Sequence, residues 1–436
     1  MKFVYTFILL FILGSSHAQE ELSLYFHQDV MQSGLLNPAF SPQGKFNISF
    51  GSTYYHLDLR GPRFARFFLG TDFIEEFADG LSQNYISSDA SFHIFDVGWK
   101  KNNIYYRFGY HTSSNFYFDL SSEFNNLISF GNAETIGREV NLAPKLFVNH
   151  GNELYFGMAV DLYDGIYKFG GNVKFVTGAF NISTPVSDIS LTTGEEFYQL
   201  SLQSDFRLNT SFNDFELRLR QFLPFNNPFR DNYGASIDLG FQYKEGPWAY
   251  SVSLLDVGVM NWRANTTNVI SQGSFEFDGF SIEELTVDTL RDLADSLVNA
   301  FSTEINNENY LTVTPIKAVL SAQYKYGKWN FGGILHGEFK QTRFLPAVGL
   351  NATRRLWKFW DLGFSYAYKN NTYSNFGLHS VMNIGPVQLY AMSDNVIGVF
   401  LPRRNLKLNF RVGGNLNFGL PRKPKMKGES NTAYLF

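Results

Sequence analysis

The sequence predicts an all-β fold, a transmembrane outer-membrane β-barrel of roughly 14 antiparallel strands. Three observations predict it. Long runs alternate apolar and polar residues with the period of two that an extended strand imposes. These runs are about 9 to 14 residues long, whereas a soluble strand is about 5 or 6 and a membrane-spanning barrel strand needs about 9 to 11. Aromatics make up 17% of the chain, with 46 Phe and 24 Tyr, while charged residues also make up only 17%. That charge content is low for a fully solvated surface.

Taken in order, the 436-residue chain opens with the features of an export signal. Lys2 supplies the positive charge, Phe3 to Leu13 ("FVYTFILLFIL") form a short apolar core, and Ser16-His17-Ala18 place small residues before a cut ahead of Gln19. A membrane-anchoring helix is the alternative, but the apolar run is about 11 residues and a spanning helix needs about 20. Residues 1–18 are therefore read as a cleaved signal peptide, and no Cys follows the cut to carry a lipid. No later apolar run reaches the length of a spanning helix.

The barrel is read over residues 19–420. In Lys328 to Lys340 ("KWNFGGILHGEFK"), Trp329, Phe331, Gly333, Leu335, Gly337 and Phe339 share one face. Lys328, Asn330, Gly332, His336, Glu338 and Lys340 share the other, with Ile334 the lone apolar exception. The same pattern sets Ile104, Tyr106, Phe108 and Tyr110 against Asn103, Tyr105, Arg107 and His111. It sets Leu154, Phe156, Met158, Val160 and Leu162 against Tyr155, Gly157, Ala159 and Asp161, and Ile237, Leu239 and Phe241 against Ser236, Asp238 and Gln242. It recurs in Leu362 to Lys369 and in Leu406 to Phe418. Closure follows from backbone chemistry, because an open sheet edge leaves unpaired peptide groups in hydrocarbon. The alternative is a large soluble β-sandwich or β-helix with the apolar faces as its core.

Connections fall into two kinds. "YGKWN", "KEGPW" and "WKKNN" read as tight hairpin turns. Longer polar stretches lie at roughly 71–90, 182–195, 206–231 and 262–310, giving one rim of short turns and one of long loops. Trp248 and Tyr250, Trp357 and Trp360, and Tyr54 and Tyr55 are placed as interfacial aromatics. Within the longest loop, residues 281–304 carry Leu290, Leu293, Leu297 and Phe301 at helical spacing, with Ser281 and Glu284 as a capping box. A weaker helix is expected over Asp119 to Gly131. Residues 421–436 form a basic periplasmic tail bearing Arg422, Lys423, Lys425 and Lys427, and Pro421 and Pro424 forbid a continued central strand.

Few signs of chemistry are present. The formal net charge is -4, which gives no reason to expect nucleic acid as a partner. The absence of Cys excludes disulfides and thiolate metal sites. Seven His follow the signal (His27, His56, His93, His111, His150, His336 and His379), none at the helical spacing of metal ligands. There is no H-E-x-x-H, no G-x-S-x-G and no phosphate loop. His336, with Glu338 two residues on, is the best candidate for a luminal histidine. No catalytic, cofactor-binding or metal residue is assigned, and no cofactor is expected.

Two stretches carry a resemblance. Leu24 to Gly51 contains Asn37-Pro38-Ala39 ahead of the first strand, and Gly385 to Gly419 contains Ser393-Asp394-Asn395 between the last two strands. Together they resemble a family of outer-membrane β-barrel proteins from Bacteroidota with no established activity, more distantly similar to the PorP/SprF proteins of gliding motility and type IX secretion. The resemblance implies the fold and an outer-membrane location, and the distant one implies a place beside a secretion machine. From the residues themselves, Pro38 and Pro42 favour turns or extended chain, so this segment can plug or line the periplasmic mouth. Ser393-Asp394-Asn395 reads as a turn.

The expectation is a non-enzymatic barrel that contacts outer-membrane lipid and either passes a hydrophobic or small solute or binds periplasmic or secretion-machinery proteins. A barrel hydrolase and a soluble secreted β-protein are the alternatives.

Overall fold

The computed structural model describes residues 22–420 except 61–83, 122, 125, 128–130, 197–198, 213–231, 278–301, 341–342, 370–371 and 398–405. The signal at 1–18 and the tail at 421–436 lie outside the described residues. So does most of the helix expected over 281–304. No described helix is long and apolar enough to cross a membrane.

Nineteen strands join in one sheet among the described residues. They are β1 (Phe46–Arg60), β2 (Asn84–Lys101), β3 (Ile104–Leu120), β4 (Glu139–Asn141), β5 (Lys145–Leu162), β6 (Tyr167–Thr193), β7 (Leu200–Phe212), β8 (Asn232–Glu245), β9 (Trp248–Trp262) and β10 (Thr266–Phe277). There follow β11 (Ser302–Asn306), β12 (Tyr310–Val313), β13 (Ile316–Tyr326), β14 (Trp329–Lys340), β15 (Arg343–Trp357), β16 (Trp360–Lys369), β17 (Thr372–Ile384), β18 (Val387–Ser393) and β19 (Leu406–Phe418). Fourteen of them close a ring. β1 pairs with β2, β2 with β3, β3 with β5, β5 with β6, β6 with β8, β8 with β9 and β9 with β13. β13 to β19 then pair in succession, and β19 pairs back onto β1, Phe418 opposite Phe46. Every pairing is antiparallel, so the expected count of 14 holds.

β4, β7, β10, β11 and β12 extend one wall beyond the ring. The first half of the 27-residue β6 pairs with β8 and its second half with β7. β7 pairs in turn with β10, and β10 with β11. The stretches read as long loops are thus largely strand where described: residues 84–90, 182–193, 206–212, 266–277, 302–306 and 310. The lipid-facing alternation is weak in these residues because both faces of an extramembrane sheet meet water, yet the backbone ladder closes without it. The end of the helix expected over 281–304 is strand, with Ser302, Thr303 and Glu304 opposite Gln272, Ser271 and Ile270. In the weaker helix, Asp119 and Leu120 finish β3. Only Glu123, Phe124, Asn126 and Leu127 are helical among the described residues, and the Ser121 hydroxyl caps Phe124 N–H at 3.1 Å.

The expected asymmetry of the rims is present in part, since on the second rim β14–β15 and β16–β17 are also separated by only two residues. β2–β3, β8–β9, β13–β14, β15–β16 and β17–β18 are joined by two-residue turns on one rim. In Gly246-Pro247 the first residue has φ +56°, which glycine adopts freely and which matches the twist of a tight hairpin. Stacked pairs mark the same rim: Trp357 on Trp360 at 5.2 Å and Trp248 on Tyr250 at 5.8 Å. Tyr54 is not among the interfacial aromatics. It points inward, buried, accepting from Asn409 Nδ2 at 3.1 Å beneath the Arg411 guanidinium.

The alternation resolves the two faces. In β14, Phe331 and Phe339 are 44% and 55% exposed, while His336 and Glu338 are 7% and 1% exposed. The outer surface is a continuous apolar and aromatic band, with Phe156, Val173, Leu239, Val252, Leu350, Phe364 and Phe410 among its members. A closed barrel with its apolar residues outside and its polar residues inside has its core inverted relative to a soluble protein. The aromatic face of β14 therefore meets lipid.

Candidate functional site: a plugged lumen

The polar face does not enclose an empty lumen. The segment preceding β1 folds back into the barrel, beginning with the short helix α1 (Leu22–Tyr25) and a 3-10 turn at Met31–Leu35. Its fixing points run around the wall.

At the start, Leu22 N–H and Ser23 N–H donate to the Asp394 carboxylate at 3.0 and 3.1 Å, and the Ser23 hydroxyl also donates to it. The turn read in Ser393-Asp394-Asn395 thus spends its carboxylate on the plug and not on its own backbone. Tyr25 reaches Ser253 on β9 at 3.4 Å, and His27 Nε2 lies 2.7 Å from His379 Nδ1 on β17. Gln242 donates to Gln28 at 2.7 Å, and Gln388 to Asp29 O at 3.4 Å. Gln32 donates to Ser49, Asp96 and Asn415, drawing on β1, β2 and β19.

The Asn37-Pro38-Ala39 element closes the plug. Asn37 Oδ1 accepts from Ala39 N–H at 2.9 Å, the geometry of an Asx turn. Its amide nitrogen donates to Tyr25 Oη at 2.9 Å and to the carbonyls of Phe241 and Val252. Arg107 Nη2 donates to Pro38 O and Phe40 O at 2.8 and 2.6 Å. Pro38 suits this role because a proline carbonyl is an acceptor with no accompanying N–H to satisfy. The wall makes room at Gly240, where a Cβ would stand 2.1 Å from Asn37 Oδ1.

The plug has two sides. Leu22, Tyr25, Phe26 and Phe40 pack on Val319, Ile334, Ala347 and Ala367, and Leu24 and Val30 pack on Val381, Tyr390 and Met392. These wall residues belong to β13–β18. Ile334, the apolar exception in β14, is one of them. On the opposite wall, from β19 through β1 to β9, the contacts are polar, and polar contacts also reach the first wall: Ser23 to Ser365 on β16, His27 to His379 on β17 and Gln388 on β18 to Asp29 O. Behind the plug, Lys174 bonds Asp238 at 2.9 Å and also Asp256, and Lys317 bonds Asp256 at 2.8 Å. Asn172 ties this cluster to Gly34 O at 3.3 Å and to Asp238 at 2.9 Å. Asp256 has φ +57° at a register shift between β8 and β9, which turns its carboxylate inward. Two lysines facing two aspartates leave no net buried charge.

His336 and Glu338 point into the barrel as expected. Three more histidines, His93, His111 and His150, meet neighbours in ways that residue spacing did not signal. His93 stacks on His111 at 5.0 Å, His93 lies 3.2 Å from Asp96, His111 lies 3.2 Å from Glu153, and the Ser114 hydroxyl lies 2.7 Å from His150. No cluster of three or more His, Asp or Glu among the described residues could hold a metal. Burial, reinforced by the Arg355 charge, lowers the His27 imidazole to about 4, so His27 is neutral at physiological pH.

Fold and site together define a class: an outer-membrane barrel whose lumen is filled by its own N-terminal segment. The chain belongs to the Family of unknown function (DUF5723), whose model matches residues 38–394. No curated protein matches the chain. Among solved structures, it is similar to the Ralstonia pickettii toluene transporter TbuX, at 10% identity over 89% of this chain and 94% of that one, with a TM-score of 0.44. It is similar to the Pseudomonas putida toluene transporter TodX, at 10% identity over 93% and 96%, with a TM-score of 0.44. It is also similar to the translocator domain of the autotransporter NalP from Neisseria meningitidis, at 9% identity over 91% and 98%, with a TM-score of 0.34.

Proposed function

We propose that this protein is a non-enzymatic outer-membrane transport barrel for a small solute, with residues 22–43 as its gate. One observation carries the reading: the bore is occupied by the chain's own segment, and many of that segment's contacts are hydrogen bonds that water can replace. A purely structural stopper is better built from apolar contacts all round, since net hydrogen-bond energies are only about 1 kcal/mol each. The test is conductance in a planar bilayer. The full chain is expected to be nearly silent, and Arg107→Ala, which removes both bonds to the Asn-Pro-Ala-Phe turn, is expected to open it intermittently. A variant whose plug is shown to leave the bore, yet which never conducts, would sink the gate.

A second reading is a partner-bound component of a secretion or gliding system, as the resemblance to PorP/SprF proteins suggests. The extension of β7, β10, β11 and β12 favours it, because it holds Ile305, Leu311 and Val313 exposed beyond the barrel. Partners that co-purify with the full chain and are lost when these three become Ser would support it.

A further inference from the structure

Along the polar wall the plug is gripped by its backbone at regular intervals. Asn172 Nδ2 donates to Gly34 O at 3.3 Å and Ser253 Oγ to Leu36 O at 2.8 Å. Arg107 Nη2 donates to Pro38 O and Phe40 O at 2.8 and 2.6 Å. The acceptors are the carbonyls of residues 34, 36, 38 and 40, every second one, and the donors stand on β6, β9 and β3. None of these bonds reads a plug side chain, so any peptide offers the same oxygens.

The wall beneath this stretch is glycine. Gly170 on β6 lies opposite Gly240 on β8, and a Cβ on either would overlap the plug, at the Pro38 carbonyl and the Pro38 nitrogen respectively. Two glycines paired across a ladder leave a bare shelf on which a main chain lies directly against the wall. Arg107 is flanked in the same way, with Gly98 opposite it on β2 and Gly157 on β5. The grip is also incomplete. Arg107 and Asn172 are 3% and 2% exposed, yet Arg107 Nε, Arg107 Nη1 and Asn172 Oδ1 make no hydrogen bond. Nη1 faces the plug, since a Cβ at Gly34 would strike it. The unspent groups are donors and an acceptor together, which is what one more peptide unit, with its C=O and N–H, satisfies.

We propose that the polar wall from β3 to β9 is a peptide-binding groove, and that the plug occupies it in place of an oligopeptide cargo. The proposal rests on the transport reading and names its substrate class. Main-chain hydrogen bonds supply affinity with little demand on sequence, which suits a carrier of mixed peptides. A sugar offers hydroxyls in no two-residue repeat, and a hydrocarbon offers no acceptor at all.

The test uses the full chain with its own plug locked out. The chain has no Cys, and Val30 is fully buried in the seated plug. Val30→Cys in the Asp394→Ala background, coupled to a bulky maleimide while the plug is out, cannot reseat. The probe is an end-blocked alanine hexapeptide carrying a fluorophore, titrated into the coupled protein in detergent and followed by anisotropy. Saturable binding is expected, weakened at least tenfold by Arg107→Ala and about fivefold by Ser253→Ala. Asn351→Ala, at a luminal β15 residue that bonds Thr353 and not the plug, should change it less than twofold. Sucrose should not displace the probe, and a peptide of the plug's own residues 34–40 should bind within about tenfold of the alanine one. Binding of the plug-sequence peptide alone would make the groove a seat for its own segment and overturn the proposal. So would no binding, displacement by sucrose, or an equal loss with Asn351→Ala. A thiol that never couples would remove the gate reading and this proposal with it. A thiol that couples in a protein that binds no peptide would leave the gate and remove only the cargo.

Discussion

Asp394 gives the sharpest test of the plug. Its carboxylate accepts from Leu22 N–H, Ser23 N–H and the Ser23 hydroxyl, and it is itself buried. Asp394→Ala removes both acceptor oxygens, and with them all three bonds, while leaving the donors inside the barrel. A hydrogen bond to a charged group contributes about 1.5–3 kcal/mol net, and bonds sharing one acceptor group do not add fully. The expected loss is about 3–5 kcal/mol of docking free energy, a rise of roughly 10² to 10⁴ in the undocked fraction. Because the chain has no Cys, a thiol placed at Val30 is unique. Val30 is fully buried between the plug and β17–β18, so a water-soluble thiol reagent reaches it only when the plug leaves. Labelling of Val30→Cys should accelerate by that factor in the Asp394→Ala background, and by a smaller factor with Asp394→Asn, which keeps one carbonyl acceptor. The comparison is made within one thiol background, so any cost of the thiol itself cancels. Rates within threefold of one another would refute the idea that Asp394 holds the plug.

Two more expectations follow from the same geometry. The docked His27 titrates near 4 and the released one near the ordinary 6.5, so docking is unaffected above about pH 7 and weakens as pH falls from 6.5 toward 4. At pH 5 the loss is about 2 kcal/mol, a roughly 30-fold rise in plug release over pH 7.5, read from Val30→Cys labelling normalised at each pH to the same thiol in the unfolded chain, and His27→Gln should lessen it. On the outer face, Leu335→Arg places a charge in hydrocarbon and should cost about 2–4 kcal/mol of barrel stability in a urea titration with lipid vesicles, whereas Leu335→Phe should be near neutral. An Arg tolerated there would mean that β14 does not face lipid.

Much of this architecture was legible because a barrel strand writes its environment into alternate residues. The parity of Phe331 against His336, or of Phe364 against Ser365, needs no tertiary information. What parity could not show is which inward residues meet the plug, since those contacts join residues hundreds of positions apart, as His27 does with His379. One local signal did exist. Val319, Ile334, Ala347, Ala367, Val381 and Met392 are apolar residues at inward positions, and they lie on successive strands. A stripe of such exceptions crossing a polar wall marks an apolar object inside it. Tyr54 was misplaced for the related reason that an aromatic near a strand end serves a girdle or a lumen according to its parity, and Tyr54 has the inward one. The strand extension was missed because its residues lack the lipid-facing pattern that revealed the others.

The two-sided seating of the plug sets the order in which it can move. Its polar contacts, through Gln32, Asn37, and the carbonyls of Gly34, Leu36, Pro38 and Phe40, can each be exchanged for water at a net cost near that of one hydrogen bond. Its apolar contacts with β13–β18 cannot, because exposing Leu24 or Phe26 to water costs about 1.5–3 kcal/mol each with nothing gained in return. Water entering the bore therefore loosens the plug from the β19–β9 wall first, while the apolar side stays attached. Asp394 sits at the seam, in the connection between β18 and β19, where one wall gives way to the other. On the proposed gate, a segment fastened in this way is expected to swing aside on its apolar half, opening a passage along the polar wall, past Arg107 and the Lys174–Asp238–Asp256–Lys317 cluster.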